Sequence, residues 1–325
     1  MSNTPRAARP SYGPCTLCPR NCGVNRAQGE RGVCGVSAQL RVARAMLHHW
    51  EEPPISGTRG SGAVFFSGCP LHCVYCQNAA ISDGKAGRDI SVARLAEIFL
   101  ELQRKGAHNV NLVTPTHYVP SIMEALELAG RFQETSEGER LTIPVVYNTG
   151  GYENVDTLRA LEGYVDVYLT DFKYASPQLA QRYSHAADYP EVAARALAEM
   201  VRQTGAYRLE REPEGEDELA GSDGNLLLKG VIVRQLLLPG EVADALEVTR
   251  RVFGAFGNRV CYSLMNQYTP LPQAERFPQL QRPVTDGEYD ELIDGALDLG
   301  VRRSFMQEGG TVAESFIPAF DGEGV

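Results

Sequence analysis

Ala63-Val64-Phe65-Phe66-Ser67-Gly68-Cys69-Pro70-Leu71-His72-Cys73-Val74-Tyr75-Cys76-Gln77-Asn78 runs a short apolar segment straight into three closely spaced cysteines. Residues 63–67 read as a buried strand, too brief for a helix and closed by a glycine. Three thiolates are one fewer than usually hold an iron–sulfur cube, so a cube bound at Cys69, Cys73 and Cys76 keeps one iron open to another ligand. A structural zinc is the alternative, because His72 could join the three cysteines in a tetrahedron. Zinc ligands usually arrive as two separated pairs, whereas these fall within eight residues. Tyr75 also offers a flat apolar face to a ring-bearing cofactor, and both features favour a cofactor site over a staple.

Outward from this stretch, short apolar runs alternate with helical patterns. Strands are expected at 63–67, 109–114, 143–148, 165–171, 230–238 and 259–265, with a weaker seventh at 303–307. Helices are expected at 91–105, 120–132, 155–161, 190–203, 241–253 and 286–299. In the first, Ser91 is placed as an N-cap, and Leu95, Ile98, Phe99 and Leu102 recur at the helical interval. Repeated strand–helix units call for a parallel sheet, and six of them suit an α/β fold built as a partial (β/α)6 barrel of the TIM type. A doubly wound sheet is the competing arrangement. A barrel assembles its site at the C-terminal strand ends. Polar or unusual residues gather there: Cys69, then Thr114 to His117, Asn148 to Gly151, Asp171 with Lys173, and Met265 with Asn266.

Cys15, Cys18, Cys22 and Cys34 form a second constellation on a looping segment rich in glycine and proline. Four soft ligands on a stretch too polar to fold alone point to a metal, either a closed zinc or an auxiliary iron–sulfur cluster. Seven of the eight cysteines precede residue 77, which in a reducing compartment signals metal rather than disulfides. Cys261 reads as a packed core thiol. The expected organisation is a cysteine-rich metal-binding arm at 1–45, a barrel at 46–310 with an acidic insertion at 208–226, and a tail at 311–325. The 41 acidic against 31 basic residues argue against a nucleic-acid footprint, which would want a basic face. Neither a signal peptide nor a membrane span is read in the chain, so a soluble, cytoplasmic protein is expected.

Cys-x-x-x-Cys-x-aromatic-Cys followed by Gln77-Asn78 resembles the signature of the radical S-adenosylmethionine (SAM) enzymes. The resemblance implies a 4Fe–4S cluster on Cys69, Cys73 and Cys76 whose open iron is chelated by SAM, one-electron cleavage of SAM, and hydrogen abstraction by the 5′-deoxyadenosyl radical. The runs Cys18 to Cys22, Trp50 to Gly57, Val113 to His117, Leu264 to Tyr268 and Phe316 to Pro318 resemble the branch labelled pyruvate formate-lyase activating enzyme-like. That branch implies a glycyl-radical activase, with a protein substrate and reduced flavodoxin or ferredoxin as electron donor. Asp171 and Lys173 match the activases' Asp-x-Lys pair near the methionine end of SAM, and Asn148, Thr149, Gly150 and Gly151 resemble their SAM-contacting turn. Tyr75, Asn78, Thr114, His117, Met265 and Asn266 complete the expected cofactor contacts. Two departures stand out: Thr114-Pro115-Thr116-His117 replaces a Gly-Gly-Glu run, and Gln235 occupies the place of a histidine, where it can hydrogen-bond but cannot carry a proton.

Two other functions compete with the activase: radical chemistry on a small molecule or peptide, and a non-catalytic metal-bearing redox sensor or scaffold. Polar groups at five strand ends weigh against the scaffold, which needs none of them.

Overall fold

The computed structural model describes residues 8–133, 135, 138–211, 225–306 and 318–325. Its strands are β1 (Arg41–His48), β2 (Ser61–Phe66), β3 (Arg88–Asp89), β4 (Val110–Val113), β5 (Val145–Thr149), β6 (Val167–Asp171), β7 (Arg208–Leu209), β8 (Leu227–Leu236), β9 (Cys261–Met265) and β10 (Ser304–Met306). The helices are α1 (Pro53–Ser56), α2 (Ala79–Ser82), α3 (Val92–Arg104), α4 (Val119–Leu128), α5 (Val155–Ala160), α6 (Pro177–Ser184), α7 (Tyr189–Thr204), α8 (Val242–Phe256) and α9 (Asp286–Asp298).

β2, β4, β5, β6, β8, β9 and β10 lie side by side in chain order, every neighbouring pair parallel. A doubly wound sheet reverses its strand order at a switch point. This order never reverses, so the sheet is wound one way, as an open part of a barrel. The register brings Asp171 beside Arg234 and Met265 beside Leu236, which keeps the C-terminal strand ends at a common level. β2, β4 and β5 are buried along their whole length, the signature of strands covered on both faces.

Helix boundaries follow local chemistry. The Ser91 side chain accepts from the Arg94 N–H (3.0 Å) to start α3, and Leu95, Ile98, Phe99 and Leu102 turn inward. Each of those side chains contributes roughly 2 kcal/mol by leaving water. Thr285 and Glu288 form a capping box at the start of α9.

β1 pairs antiparallel with β2 and extends across residue 45, the expected end of the arm. Its free edge is covered by β3 and by the chain's last residues: Ala45 N–H donates to Glu323 O, and Gly322 N–H to Ala43 O, both at 3.0 Å. Residues 212–224 of the acidic insertion, 311–317 of the tail, and Phe316 and Ile317 of the motif near the C-terminus lie outside the described residues. Among the described residues, no helix is long and apolar enough to cross a membrane.

Candidate active site

β2 ends at Phe66, and two residues on, Gly68, at a φ of +94°, turns the chain out of the sheet; a Cβ there would sit 2.6 Å from the Cys34 carbonyl oxygen. The arm is thus pressed directly behind the cysteine loop. Cys69 N–H donates to Cys34 O (3.3 Å), and a His72 ring nitrogen contacts Val33 O (2.7 Å). Arg20 donates to Pro70 O (2.8 Å), Ser184 O (3.1 Å) and His185 O (2.5 Å), tying arm, loop and the end of α6 together.

Cys69, Cys73 and Cys76 open onto a cavity of about 130 Å³, which Asn78, Thr114, Asn148, Thr149, Asp171 and Lys173 also line. Thr114 sits at φ +57°, a costly conformation for a β-branched residue before proline and one that clusters at functional sites. Burial pushes the Cys69 thiol up to about 11 and that of Cys76 to about 12, with Cys73 shifted the same way. Without a bound cation the three are neutral, so their thiolates need a metal to form.

The donor set fits a cube. His72 has its Nε2 2.7 Å from Val33 O and lies outside the lining of the cavity that holds the three thiols. Three soft thiols on one cavity wall suit a cluster that keeps one iron open.

Asp171 is held between Lys173 Nζ (2.5 Å) and Arg234 Nε (2.9 Å). Burial works to raise its carboxyl, but Arg234 and Lys173 outweigh that and keep it below its ordinary value. For Lys173 burial pulls down and Asp171 prevails, so the ammonium is retained. Arg234 also donates to Asn148 Oδ1 (2.6 Å) and meets Glu51 Oε2 at 3.4 Å. Glu51 in turn accepts from Asn111 (3.0 Å) and Asn148 (3.2 Å), bringing a charged network into the barrel interior beneath the cavity. Burial raises the Glu51 and Glu52 carboxyls against the pull of Arg234.

Three of these groups carried no sequence-based role: Arg234, Glu51 and Glu153. Glu153 is buried behind the cavity wall and accepts from Thr116 (2.5 Å), Thr149 and Tyr147 (3.3 Å), and burial lifts it to about 7. Its only signal in the sequence is its place just after the Gly150-Gly151 turn.

Five expected cofactor contacts lie outside the cavity lining. Strand alternation turns Arg234 inward and Gln235 outward, where its amide donates to Ala245 O (2.5 Å) and accepts from Thr249 (2.8 Å). His117 is buried with Nε2 at 2.8 Å from Ser67 O, and burial lowers it to about 3, leaving it neutral. Tyr75 packs edge-on against Tyr174, Tyr183 and Tyr268 instead of facing the cavity. Met265 ends β9 and Asn266 follows it, both beyond the lining, with Met265 O accepting from Leu237 N–H at 2.9 Å.

In the arm, Cys15, Cys18 and Cys34 are buried and Cys22 is half-buried. Gly32 leaves room between two of them: a Cβ there would lie 3.0 Å from Cys22 Sγ and 3.6 Å from Cys34 Sγ. Arg26, 1% exposed, stands 4.0 Å from Cys15 Sγ. Its guanidinium donates to Val36 O (3.2 Å), Ser37 O (2.7 Å) and His117 O (2.5 Å) between the faces of Tyr12 and Tyr118.

An uncharacterized protein of Methanocaldococcus jannaschii is 28% identical over 294 residues, covering 86% of this chain and 73% of that protein. Among solved structures, Streptococcus suis SuiB bound to S-adenosylmethionine aligns with a TM-score of 0.48 at 12% identity, over 75% of this chain and 49% of that one. HydG, a maturase of the FeFe-hydrogenase, aligns with a TM-score of 0.47 at 15% identity, over 79% and 53%. The chain therefore spans about half the length of these two structures. The family model described as the radical SAM superfamily matches residues 63–205, from β2 through the three cysteines and the Asp171–Lys173 pair. This chain carries a radical SAM superfamily domain.

Proposed function

We propose that the protein is an enzyme that holds a 4Fe–4S cluster on Cys69, Cys73 and Cys76, binds SAM at the open iron, cleaves it reductively and abstracts hydrogen from a substrate. The observation that carries this reading is three thiols sharing one cavity with Asp171 and Lys173, with no fourth cysteine or histidine among the described residues that line it. When bound, such a cluster supplies the single electron that splits the S–C5′ bond and yields the 5′-deoxyadenosyl radical.

The chain's own residues bind and orient. Lys173 offers its charge to the SAM carboxylate, and Asp171, fixed from its other side by Arg234, is an acceptor for the ammonium. Thr114 and Asn78 add neutral hydrogen-bonding capacity, while Leu71, Val113 and Tyr152 keep part of the wall apolar and limit water. Glu153 fixes the Thr116 and Thr149 hydroxyls from behind.

For the substrate we take a glycine Cα of a partner protein, and for the electron donor a reduced flavodoxin or ferredoxin, both following the motif resemblance to the activases. A small molecule or peptide is the competing substrate. We also take Cys15, Cys18, Cys22 and Cys34 as a second metal centre. Arg26 supports it, because a buried guanidinium with only neutral hydrogen-bond partners calls for the negative charge that metal-bound thiolates carry. A closed zinc and an auxiliary iron–sulfur cluster both suit four thiolates, and elemental analysis separates the two.

Anaerobic reconstitution with iron and sulfide, followed by dithionite and SAM, should yield 5′-deoxyadenosine and methionine. Fully loaded protein that makes neither would end the enzyme reading in favour of a sensor.

A further inference from the structure

A chain of buried hydroxyls leads to one of the three cysteines. Ser184, the last residue of α6 and 0% exposed, has its Oγ 2.9 Å from Cys73 Sγ. The Tyr174 hydroxyl lies 2.7 Å from that Oγ, and the Tyr75 hydroxyl 2.6 Å from Tyr174's. Tyr174 and Tyr75 are buried as well, so each hydroxyl has to find its partner inside the protein. The geometry is held from two sides: Arg20 donates to Ser184 O (3.1 Å), and Val74 N–H, next to Cys73, donates to Tyr183 O (2.9 Å).

Building on the cluster reading above, we propose that Ser184 tunes the reduction potential of the cluster by donating a hydrogen bond to the Cys73 sulfur, with Tyr174 and Tyr75 locking the direction of that donation. A thiol at Cys73 could donate or accept, and the chain could run either way. An iron-bound thiolate only accepts, so Ser184 donates to it. Ser184 oxygen then accepts from Tyr174, and Tyr174 oxygen from Tyr75. Three O–H dipoles aligned in one direction polarise one another and place positive charge against the sulfur. Hydrogen bonds to cluster sulfurs are one of the levers that set cluster potentials. The added electron makes the reduced state more negative, so the donation stabilises it and raises the potential. The same chain gives a reason for a tyrosine at position 75 that turns away from the cavity: its hydroxyl is the far anchor of the relay. Ser184 is a positioning residue, since it acts through Cys73.

The test is an EPR-monitored redox titration of reconstituted wild type, Ser184→Ala, Ser184→Thr, Tyr174→Phe and Tyr75→Phe, with iron and sulfide counted in each. Ser184→Ala should move the midpoint to more negative potential at unchanged iron content. Tyr174→Phe should move it the same way by less, Tyr75→Phe by less again, and Ser184→Thr should restore the wild-type value. A wild-type midpoint in fully loaded Ser184→Ala overturns the proposal, as does an equal shift in the alanine and threonine variants. If Ser184→Ala fails to hold iron, Tyr174→Phe decides, and an unshifted midpoint there overturns it. Wild type that cleaves SAM beside an unshifted Ser184→Ala leaves the enzyme reading standing and removes only this inference; wild type that takes up no cluster removes both.

Discussion

The cysteine loop after β2 and the N-terminal arm both concentrate thiols, yet they are built to opposite plans. The loop offers three cysteines on the wall of a cavity, beside an ammonium and a carboxylate held ready for a ligand. The arm offers four cysteines, three of them buried, next to a guanidinium that no carboxylate neutralises in the hydrogen bonds it makes. The arm's backbone and Arg20 brace the loop from behind. Thiol count and openness, more than the presence of cysteine, separate a place for chemistry from a fastening.

The comparison breaks most sharply by mutation of one thiol in each region. Cys73→Ala should reduce 5′-deoxyadenosine formation to background, while Cys18→Ala keeps most of the cleavage per folded molecule. Equal loss in both variants would make the arm part of the reaction centre.

Next in size is Arg26→Met. If the arm thiols carry charge, removing their buried counter-ion should cost about 3–5 kcal/mol, read as a lower denaturation midpoint, with cleavage per bound cluster retained. An unchanged midpoint would show that the arm is neutral.

Glu153 stands between the regions, holding Thr116 and Thr149 on one side while its neighbour Asn154 donates to Thr16 O of the arm at 2.7 Å. Burial lifts its carboxyl from 4.5 to about 7. Between those values the folded protein keeps a proton that the unfolded chain has released. This group's contribution to stability is therefore complete below pH 4.5 and is lost as pH rises through about 7. The loss is on the order of 3 kcal/mol, and Glu153→Gln should flatten that slope of denaturation midpoint against pH. Parallel slopes in the two proteins would place the carboxyl in a more solvated setting.

The smallest effect sharpens the account of the open region. Lys173→Met should weaken SAM binding about tenfold to hundredfold, a charged hydrogen bond being worth about 1.5–3 kcal/mol, while Arg234 keeps Asp171 ionised. Unchanged affinity would remove Lys173 from the SAM contact.

The parallel strands were legible because strands covered on both faces are largely apolar, as in Val145-Val146-Tyr147 and in Val110-Asn111-Leu112-Val113, where Asn111 alone is polar and bonds Glu51. β1 was hidden: Arg41 and Arg44 interrupt its apolar pattern, and its bonds to Gly322 and Glu323 join segments far apart in sequence. α6, at eight residues, is too short for a periodic signal, although Ser176 followed by Pro177 marks its start. At the site, residue type and strand end were enough for the cysteines, Thr114, Asn148, Thr149, Asp171 and Lys173 to reach one cavity. Direction was not legible. Arg234 and Gln235 are adjacent, and only the sheet register decides which one faces inward. Tyr75 sits between two of the cysteines, and only the tyrosines contributed by distant segments show that it faces them.

The central claim is an iron left open by three thiolate ligands for SAM to occupy. EPR of the reconstituted, reduced protein recorded with and without SAM tests it most directly. The account predicts a cluster signal whose g-values shift when SAM is added, and loss of that signal in Cys73→Ala. Identical spectra with and without SAM, or a silent protein holding only zinc at Cys69, Cys73 and Cys76, would contradict it.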